Sequence, residues 1–439
     1  MRKVEKPPLA GKKWDFIKQL ESLASSGKLA KVMDINDSSY PYWEKWKYLA
    51  KELDCDPKDV WWLVKDLRGS HKEINFIASN TFRMHINTPS VMQQQLHELD
   101  LDLGGSLHTS GLIPSEEKQR YLVSSLMEEA IASSQLEGAA TTRKVAKEML
   151  ESKRKPKNHS EQMIVNNYDA MQWIVKNKNA ALDLDLILQL HRIITNNTLQ
   201  IRGEEGAFRK DDEVKIVDVQ TGAVLHTPPS FRKLARLMKE FCLFANDGRK
   251  EVFFLHPIAK AVTLHFLVGY IHPFADGNGR TARAIFYWYL IKKGYWLIEY
   301  MSVSRIILAS KAQYARAYQY TELDNNDLTY FVLYNLKAIR AALEDLKKYI
   351  ERKNKEKSEM LSLLKNTDYN DRQIAILQEI LNDGRAIYTV NEIEIRFGVS
   401  NQTARNDLNH LVDKGILVPR QNGKKIQFLS TGDIEKKLK

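Results

Sequence analysis

Residues 271–283 read Ile271-His272-Pro273-Phe274-Ala275-Asp276-Gly277-Asn278-Gly279-Arg280-Thr281-Ala282-Arg283. An apolar run from Pro257 to Ile271 delivers the chain to His272, and Pro273-Phe274 turns it. After Gly279, Ala282, Ile285, Phe286, Tyr289 and Leu290 recur at helical spacing, with Gly294 where a stop belongs. The spacing predicts helix, glycine-rich loop, helix. Gly277 and Gly279 let the backbone take positive φ and turn N–H groups toward one point. The following helix adds the positive end of its dipole there, which makes a site for phosphate. Arg280 and Arg283 share a face of its first turn and can hold further phosphates. Asp276 offers a hard oxygen for Mg²⁺, which prefers a carboxylate plus phosphate oxygens. His272 enters from the other side, with a pKa suited to taking a proton near neutral pH. Anion cradle, cation, guanidinium clamps and base are what transfer of a nucleotide's phosphoryl group needs. Asp-Gly-Asn-Gly alone is a common turn with a surface histidine and solvated arginines beside it; the combined spacing carries the argument.

The stretch resembles the signature of the Fic family, H-x-F-x-D/E-G-N-G-R-x-x-R, at every fixed position. The resemblance implies a helical domain that transfers AMP from ATP to a protein Ser, Thr or Tyr hydroxyl. His272 would be the general base and Asp276 the Mg²⁺ ligand. Asn278 and the Gly277 and Gly279 backbone would hold the phosphates, with Arg280 and Arg283 gripping the outer ones. Upstream, Pro114 to Gly138 is marked as a helix by the stripe Leu122, Leu126, Met127, Ala130 and Ile131 and by the stop at Gly138. Glu137 stands where the helix dipole disfavours a carboxylate, by about 0.3–1 kcal/mol if exposed, so either water or a cation should compensate it. Residues 133–138, Ser-Ser-Gln-Leu-Glu-Gly, resemble the Fic inhibitory motif S/T-x-x-x-E-G/N, with Ser133, Glu137 and Gly138 in the fixed places. This implies that Glu137 pairs with Arg283 and occupies the arginine that would otherwise grip the ATP γ-phosphate. The expectation is an adenylyltransferase restrained by a helix of its own chain, N-terminal to the Fic core. The alternative is the reverse reaction, in which Glu137 positions a water to remove AMP.

Between these motifs lies one β signal, at about 206–228. Val214, Lys215 and Ile216 alternate in character, Thr221-Gly222 turns, and Val224-Leu225-His226 returns before Pro228-Pro229. A lone hairpin is marginal and must lean on helices. In a Fic protein the matching piece is a flap, whose free edge would align a target segment by β-augmentation; the plain alternative is a structural hairpin. His256 and His265 read as core or near-site histidines. His265 and His272, seven apart with no acidic partner at ligand spacing, argue against zinc.

Residues 369–439 read as a separate module: helices at Asp371–Leu381 and Val390–Phe397, the turn Gly398-Val399-Ser400, a third helix Asn401–Lys414, then a hairpin around Asn422-Gly423. The pattern resembles a winged helix-turn-helix domain. Asn401, Gln402, Arg405 and Asn406 would then face DNA bases, with Lys424 and Lys425 of the wing on phosphate. Asp407 and Asp413 dilute that charge, and such modules also dock proteins. At the other end, residues 1–95 show helical patterns dense in Trp43, Trp46, Trp61 and Trp62. They read as aromatic packing of a helical region of open role, with a partner-docking surface as the sharper alternative.

The expected fold is therefore mainly α: an N-terminal region 1–95, a Fic-type helical domain 96–350 with a small β-hairpin flap, a linker 351–368, and a winged helix-turn-helix domain 369–439. At 439 residues and 43% hydrophobic content the chain has room for such domains. No apolar run approaches the roughly 18 residues of a membrane span. The start, Met1-Arg-Lys-Val-Glu-Lys-Pro-Pro, lacks the apolar core of a secretory signal. Cys55 and Cys242 cannot make a disulfide framework, so a reducing, cytoplasmic address is expected. A net charge of +11 suits ATP, acidic protein surfaces or nucleic acid. Expected partners are ATP with Mg²⁺, a protein substrate (this chain included) and DNA, with no membrane. A DNA-binding regulator whose Fic domain only senses nucleotide is the second reading. Monomer and homo-oligomer are both compatible with the sequence.

Overall fold

The computed structural model describes residues 4–11, 14–69, 72–74, 83–104, 118–201, 203–218, 221–248, 253–365, 369–382, 386–422 and 425–431. The chain divides into two compact units, one containing residues 120–344 with the N-terminal helices, the other containing residues 345–439.

The N-terminal helices are α1 (Phe16–Ser25), α2 (Leu29–Ser39), α3 (Trp43–Glu52), α4 (Pro57–Leu67) and α5 (Ser90–Leu103), with a small hairpin of β1 (Lys72–Ile74) and β2 (Met84–Ile86) between the last two. Pro57 starts α4 behind Asp56, whose carboxylate accepts the Lys58 and Asp59 amides. Trp46 and Trp61 are fully buried and Trp43 nearly so, which supports the aromatic-packing reading. Arg68 is buried and ties this region to the core: it donates to the Tyr330 hydroxyl at 2.6 Å and to the Pro41 carbonyl at 3.0 Å.

The core follows as α6 (Lys118–Leu136), α7 (Arg143–Glu151), α8 (His159–Lys176), α9 (Leu184–Thr195), a hairpin of β3 (Ile216–Val217) and β4 (Val224–His226), α10 (Leu234–Ala245), α11 (Pro257–Ile271), α12 (Asn278–Lys292), α13 (Val303–Ala309), α14 (Lys311–Leu323) and α15 (Thr329–Lys365). Helix α11 is buried on every side, as its apolar composition predicts. His256 caps it by accepting the Ile258 amide at 3.2 Å, and His272 ends it in the left-handed region at φ 49°. Helix α15 runs through most of the segment read as a linker.

The second unit holds α16 (Asp371–Asn382), α17 (Val390–Phe397) and α18 (Asn401–Asp413) over a three-stranded antiparallel sheet. Its strands are β5 (Ile387–Thr389), β6 (Leu417–Asn422) and β7 (Lys425–Ser430), in the order β5-β7-β6. Ile376, Ile393, Leu408, Leu411 and Phe428 form its core. The third strand, β5, was not legible in the sequence because three residues carry too little alternation to read. Among the described residues no helix is long and apolar enough to cross a membrane.

Candidate active site

Helices α6 and α9 and the β3–β4 hairpin meet at the loop between α11 and α12. His272, at the head of the loop, places ring Nδ1 3.1 Å from the Gly269 carbonyl. A carbonyl only accepts, so Nδ1 carries the hydrogen and Nε2 keeps a lone pair. Burial, above all, holds the His272 pKa below the ordinary histidine value. The ring is therefore neutral at pH 7, the state a general base must be in.

Asn278 shapes the loop rather than facing an anion. Its side chain is buried, accepting the Phe274 amide at 3.0 Å and donating to the Phe274 carbonyl at 2.9 Å. This differs from the expectation that Asn278 grips phosphate; what it leaves for an anion is its backbone amide. Gly277 takes φ 81°, and a Cβ there would lie 2.8 Å from Thr195 Cγ2, so glycine is required twice over. Its own N–H is taken by Asp276 Oδ1 at 2.6 Å. The amides of residues 278–280 precede the first intrahelical bond, from Thr281 N to the Gly277 carbonyl, as the first amides of any helix do.

The two motif arginines part company. Arg280 is 1% exposed; it donates to the Ile194 carbonyl at 3.1 Å and to Asp276 Oδ2 at 3.3 Å. It braces the loop against α9, while Arg283 leans to a different neighbour. Arg283 turns to α6. Its Nε donates to Ser133 Oγ at 2.8 Å, and Nη2 donates to the Ser133 carbonyl at 3.0 Å and to Glu137 Oε1 at 2.8 Å. Burial opposes its charge, but Glu137 prevails and holds its pKa above the usual arginine value. The Glu137 carboxylate also lies across the loop: a Cβ on Gly279 would come within 2.0 Å of Glu137 Oε1. Gly138, at φ 96°, ends the helix immediately afterwards.

Four further residues escaped the sequence reading. Arg209 donates to the His272 carbonyl at 2.9 Å and to Asp211 and Pro229, bracing the loop against both legs of the β3–β4 hairpin. His191 stacks on Phe274 with ring centroids 3.7 Å apart, accepts the Gly206 amide at Nδ1 and donates from Nε2 to the Asp276 carbonyl. Burial pushes its pKa down to about 4. On α6, buried Glu129 accepts from Tyr287, Ser302 and Ser304, and the Ser125 hydroxyl donates to the Tyr300 carbonyl. Ser125, Glu129, Ser133 and Glu137 recur every four residues, so one polar stripe pins α6 to the core along its length. That spacing was there to be read; the partners of Arg209 and His191 were not.

Of the predicted hairpin residues, Ile216 lies in β3, paired with His226, while Val214 and Lys215 precede the strand. For Mg²⁺, Asp276 is the available carboxylate, with about half its side chain exposed, and no cluster of three metal-ligating side chains occurs among the described residues. One half-exposed carboxylate beside the first amides of a helix fits a cation that arrives with an anionic ligand. In the second unit Asn401, Gln402, Arg405 and Asn406 are all exposed on α18. Asp407 is turned inward instead, held by Arg372 Nε at 2.7 Å and Asn370 Nδ2 at 2.7 Å, so it does not dilute the charge of that face. Lys424 lies outside the described residues, as does the Lys425 side chain.

The loop geometry makes one stability prediction. Asn278→Ala would strand the buried Phe274 amide and carbonyl, at about 1–3 kcal/mol for each group. Thermal melting of the first unit should fall by roughly 5–10 °C.

Residues 181–290 match the family model described as the Fic/DOC family, and residues 372–426 match the DeoR-like helix-turn-helix domain. The protein adenylyltransferase Fic of Aedes aegypti is 36% identical over 129 residues, 29% of this chain and 23% of that protein. That of Drosophila melanogaster is 31% identical over 166 residues, 37% of this chain and 30% of its own length. The chain thus spans less than a third of the curated relatives it matches. Similar solved structures include a Fic family protein from Desulfovibrio desulfuricans G20, at 19% identity and TM-score 0.49, covering 77% of this chain and 95% of that one. Another is C. elegans Fic-1, residues 134–508, at 19% identity and TM-score 0.46, covering 58% of this chain and 71% of that one. The chain carries a Fic/DOC-family domain around this loop and a DeoR-like helix-turn-helix domain toward its C-terminal end.

Proposed function

We propose that this chain is a Mg²⁺-dependent protein adenylyltransferase, moving AMP from ATP to a protein Ser, Thr or Tyr hydroxyl, with Glu137 holding it in check. The observation that carries this reading is the Glu137 carboxylate lying on Arg283 and across Gly279, where an anion belongs. The names of the matched relatives supply the reaction class. In this reading the amides of Asn278, Gly279 and Arg280 receive the phosphates, and Arg283 grips the outermost one once Glu137 lets go. Asp276 would hold Mg²⁺, which when bound neutralises charge on the departing phosphates. Val214, Lys215 and Ile216 align the target segment. His272 Nε2 takes the hydroxyl proton as that oxygen bonds to the α-phosphorus. The bond from the α-phosphorus to the α–β bridging oxygen breaks, and pyrophosphate leaves. Incubation with Mg²⁺ and α-labelled ATP should label protein, while γ-labelled ATP should not. Label from neither, or from both, would contradict the reaction. Release of AMP from an already modified protein would favour removal instead.

The DeoR-like match and the exposed face of α18 support a second role, sequence-selective DNA binding through Asn401, Gln402, Arg405 and Asn406. Binding of the full chain to duplex DNA should weaken steeply with salt. Arg405→Ala should weaken it further by about 1–3 kcal/mol if the guanidinium reads a base edge. Salt-insensitive binding, or an Arg405→Ala chain that binds as wild type, would point to protein docking.

A further inference from the structure

His226 closes β4 and is used by none of the steps above. Its ring is nearly enclosed and bridges two helices. Nδ1 lies 2.8 Å from Glu322 Oε2 on α14, and Nε2 lies 2.8 Å from the Tyr270 carbonyl on α11, two residues before His272. A carbonyl can only accept, and an ionised carboxylate can only accept. A neutral imidazole has one N–H and can satisfy one of them; the doubly protonated ring satisfies both.

We propose that His226 is an imidazolium latch, a positioning residue that pins the β3–β4 hairpin to helices α11 and α14 for as long as it keeps its second proton. The surroundings agree. Burial alone would lower the pKa of His226, yet hydrogen bonding and attraction from Glu322 hold it above the ordinary histidine value. The other groups facing it leave the bridge to this pair. Tyr270, on α11, has its ring 4.7 Å away and its phenol pushed up to about 12, by burial first and by Glu322 second, so it stays neutral. His272, beyond it on the same segment, is held neutral. From β3 the cross-strand neighbour is Ile216, which is uncharged. Glu5, Lys6 and Glu44 of the N-terminal segment line the cavity that Val224, Leu225 and Glu322 also border. The sign follows: a group whose bound-state pKa is raised contributes its contact below that pKa and loses it as pH rises through it. Deprotonation leaves a lone pair facing one of the two acceptors, the carboxylate or the Tyr270 carbonyl, at 2.8 Å, and the hairpin lets go. His226 and His272 are thus driven apart in pKa by their settings, one kept charged to hold and the other kept neutral to act. The consequence for transfer rests on the hairpin being the target-docking flap.

The test is amide hydrogen exchange of the full chain from pH 6 to pH 9, corrected for intrinsic rates, read at Ile216, Val217 and Val224–His226. Wild type should lose at least about tenfold protection over that range, the worth of one charge-assisted hydrogen bond. Glu322→Gln should lose almost none, because its carboxamide can donate to Nδ1 of the neutral ring while Nε2–H stays on Tyr270. Wild-type protection that ignores pH, or an E322Q profile that follows wild type, would overturn the latch. Nitrogen-15 shifts of the wild-type His226 ring give an independent reading: both nitrogens protonated at pH 7 support it, and a neutral ring refutes it. Transfer of α-label measured alongside separates the two claims. Exchange that behaves as expected without a matching change in transfer upholds the latch and removes the docking role.

Discussion

His272→Ala should transfer no measurable label from α-labelled ATP, a fall of about 10²–10⁴ that matches the loss of a general base. The argument rests on a tautomer and a pKa. The Gly269 carbonyl fixes the hydrogen on Nδ1, so Nε2 is the only ring atom able to take a proton. Burial keeps the ring neutral below the ordinary histidine value, so the base is ready across the neutral range. Activity should therefore persist as pH falls through the usual histidine region and fail only below it, as Nε2 becomes protonated. An acid limb above the ordinary histidine pKa would contradict this. Folding should survive, because among the described residues the side-chain hydrogen bond removed is the single one to the Gly269 carbonyl. Retained ATP affinity would confirm that chemistry and not binding was lost.

Glu137→Gly should act in the opposite direction, raising label transfer by about 10–100-fold, the worth of returning one charge-assisted contact to the nucleotide. The gain comes from the side chain, not from displacement of α6. Ser125, Glu129 and Ser133 keep the helix on Tyr300, Tyr287, Ser304 and Arg283 whether or not residue 137 carries a carboxylate. Glu137 sits just past the last helical residue, with 29% of its side-chain surface still exposed, so a competing phosphate can reach and displace it. Apparent affinity for ATP should tighten in the same variant, because ATP no longer competes with a tethered anion for the guanidinium.

Much of this site could be read from spacing alone. The helix–loop–helix around residue 277 needed only local signals: apolar periodicity, two glycines and Gly294. The module at 369–439 was legible for the same reason, since Ser400, Gly398 and Gly415 punctuate it. What failed to show were fates decided across the fold. Asn278 and Arg280 look like ligand-binding residues in a string, and the side-chain bonds they make in the loop and to α9 could not be read there. Asp407 looked exposed and proved buried, because Arg372 and Asn370 lie 35 and 37 residues away. Helix α5 was there to be read, since Met92, Leu96, Leu99 and Leu103 recur at helical spacing, whereas the three-residue strands of the β1–β2 hairpin are too short to show alternation.

The account turns on Glu137 and the nucleotide competing for one guanidinium, and a double-mutant cycle measures that competition directly. Label transfer and ATP affinity are compared for wild type, Glu137→Gly, Arg283→Ala and the double variant. The expected result is that the gain from Glu137→Gly vanishes when Arg283 is absent. A gain that survives in the Arg283→Ala background would contradict the account.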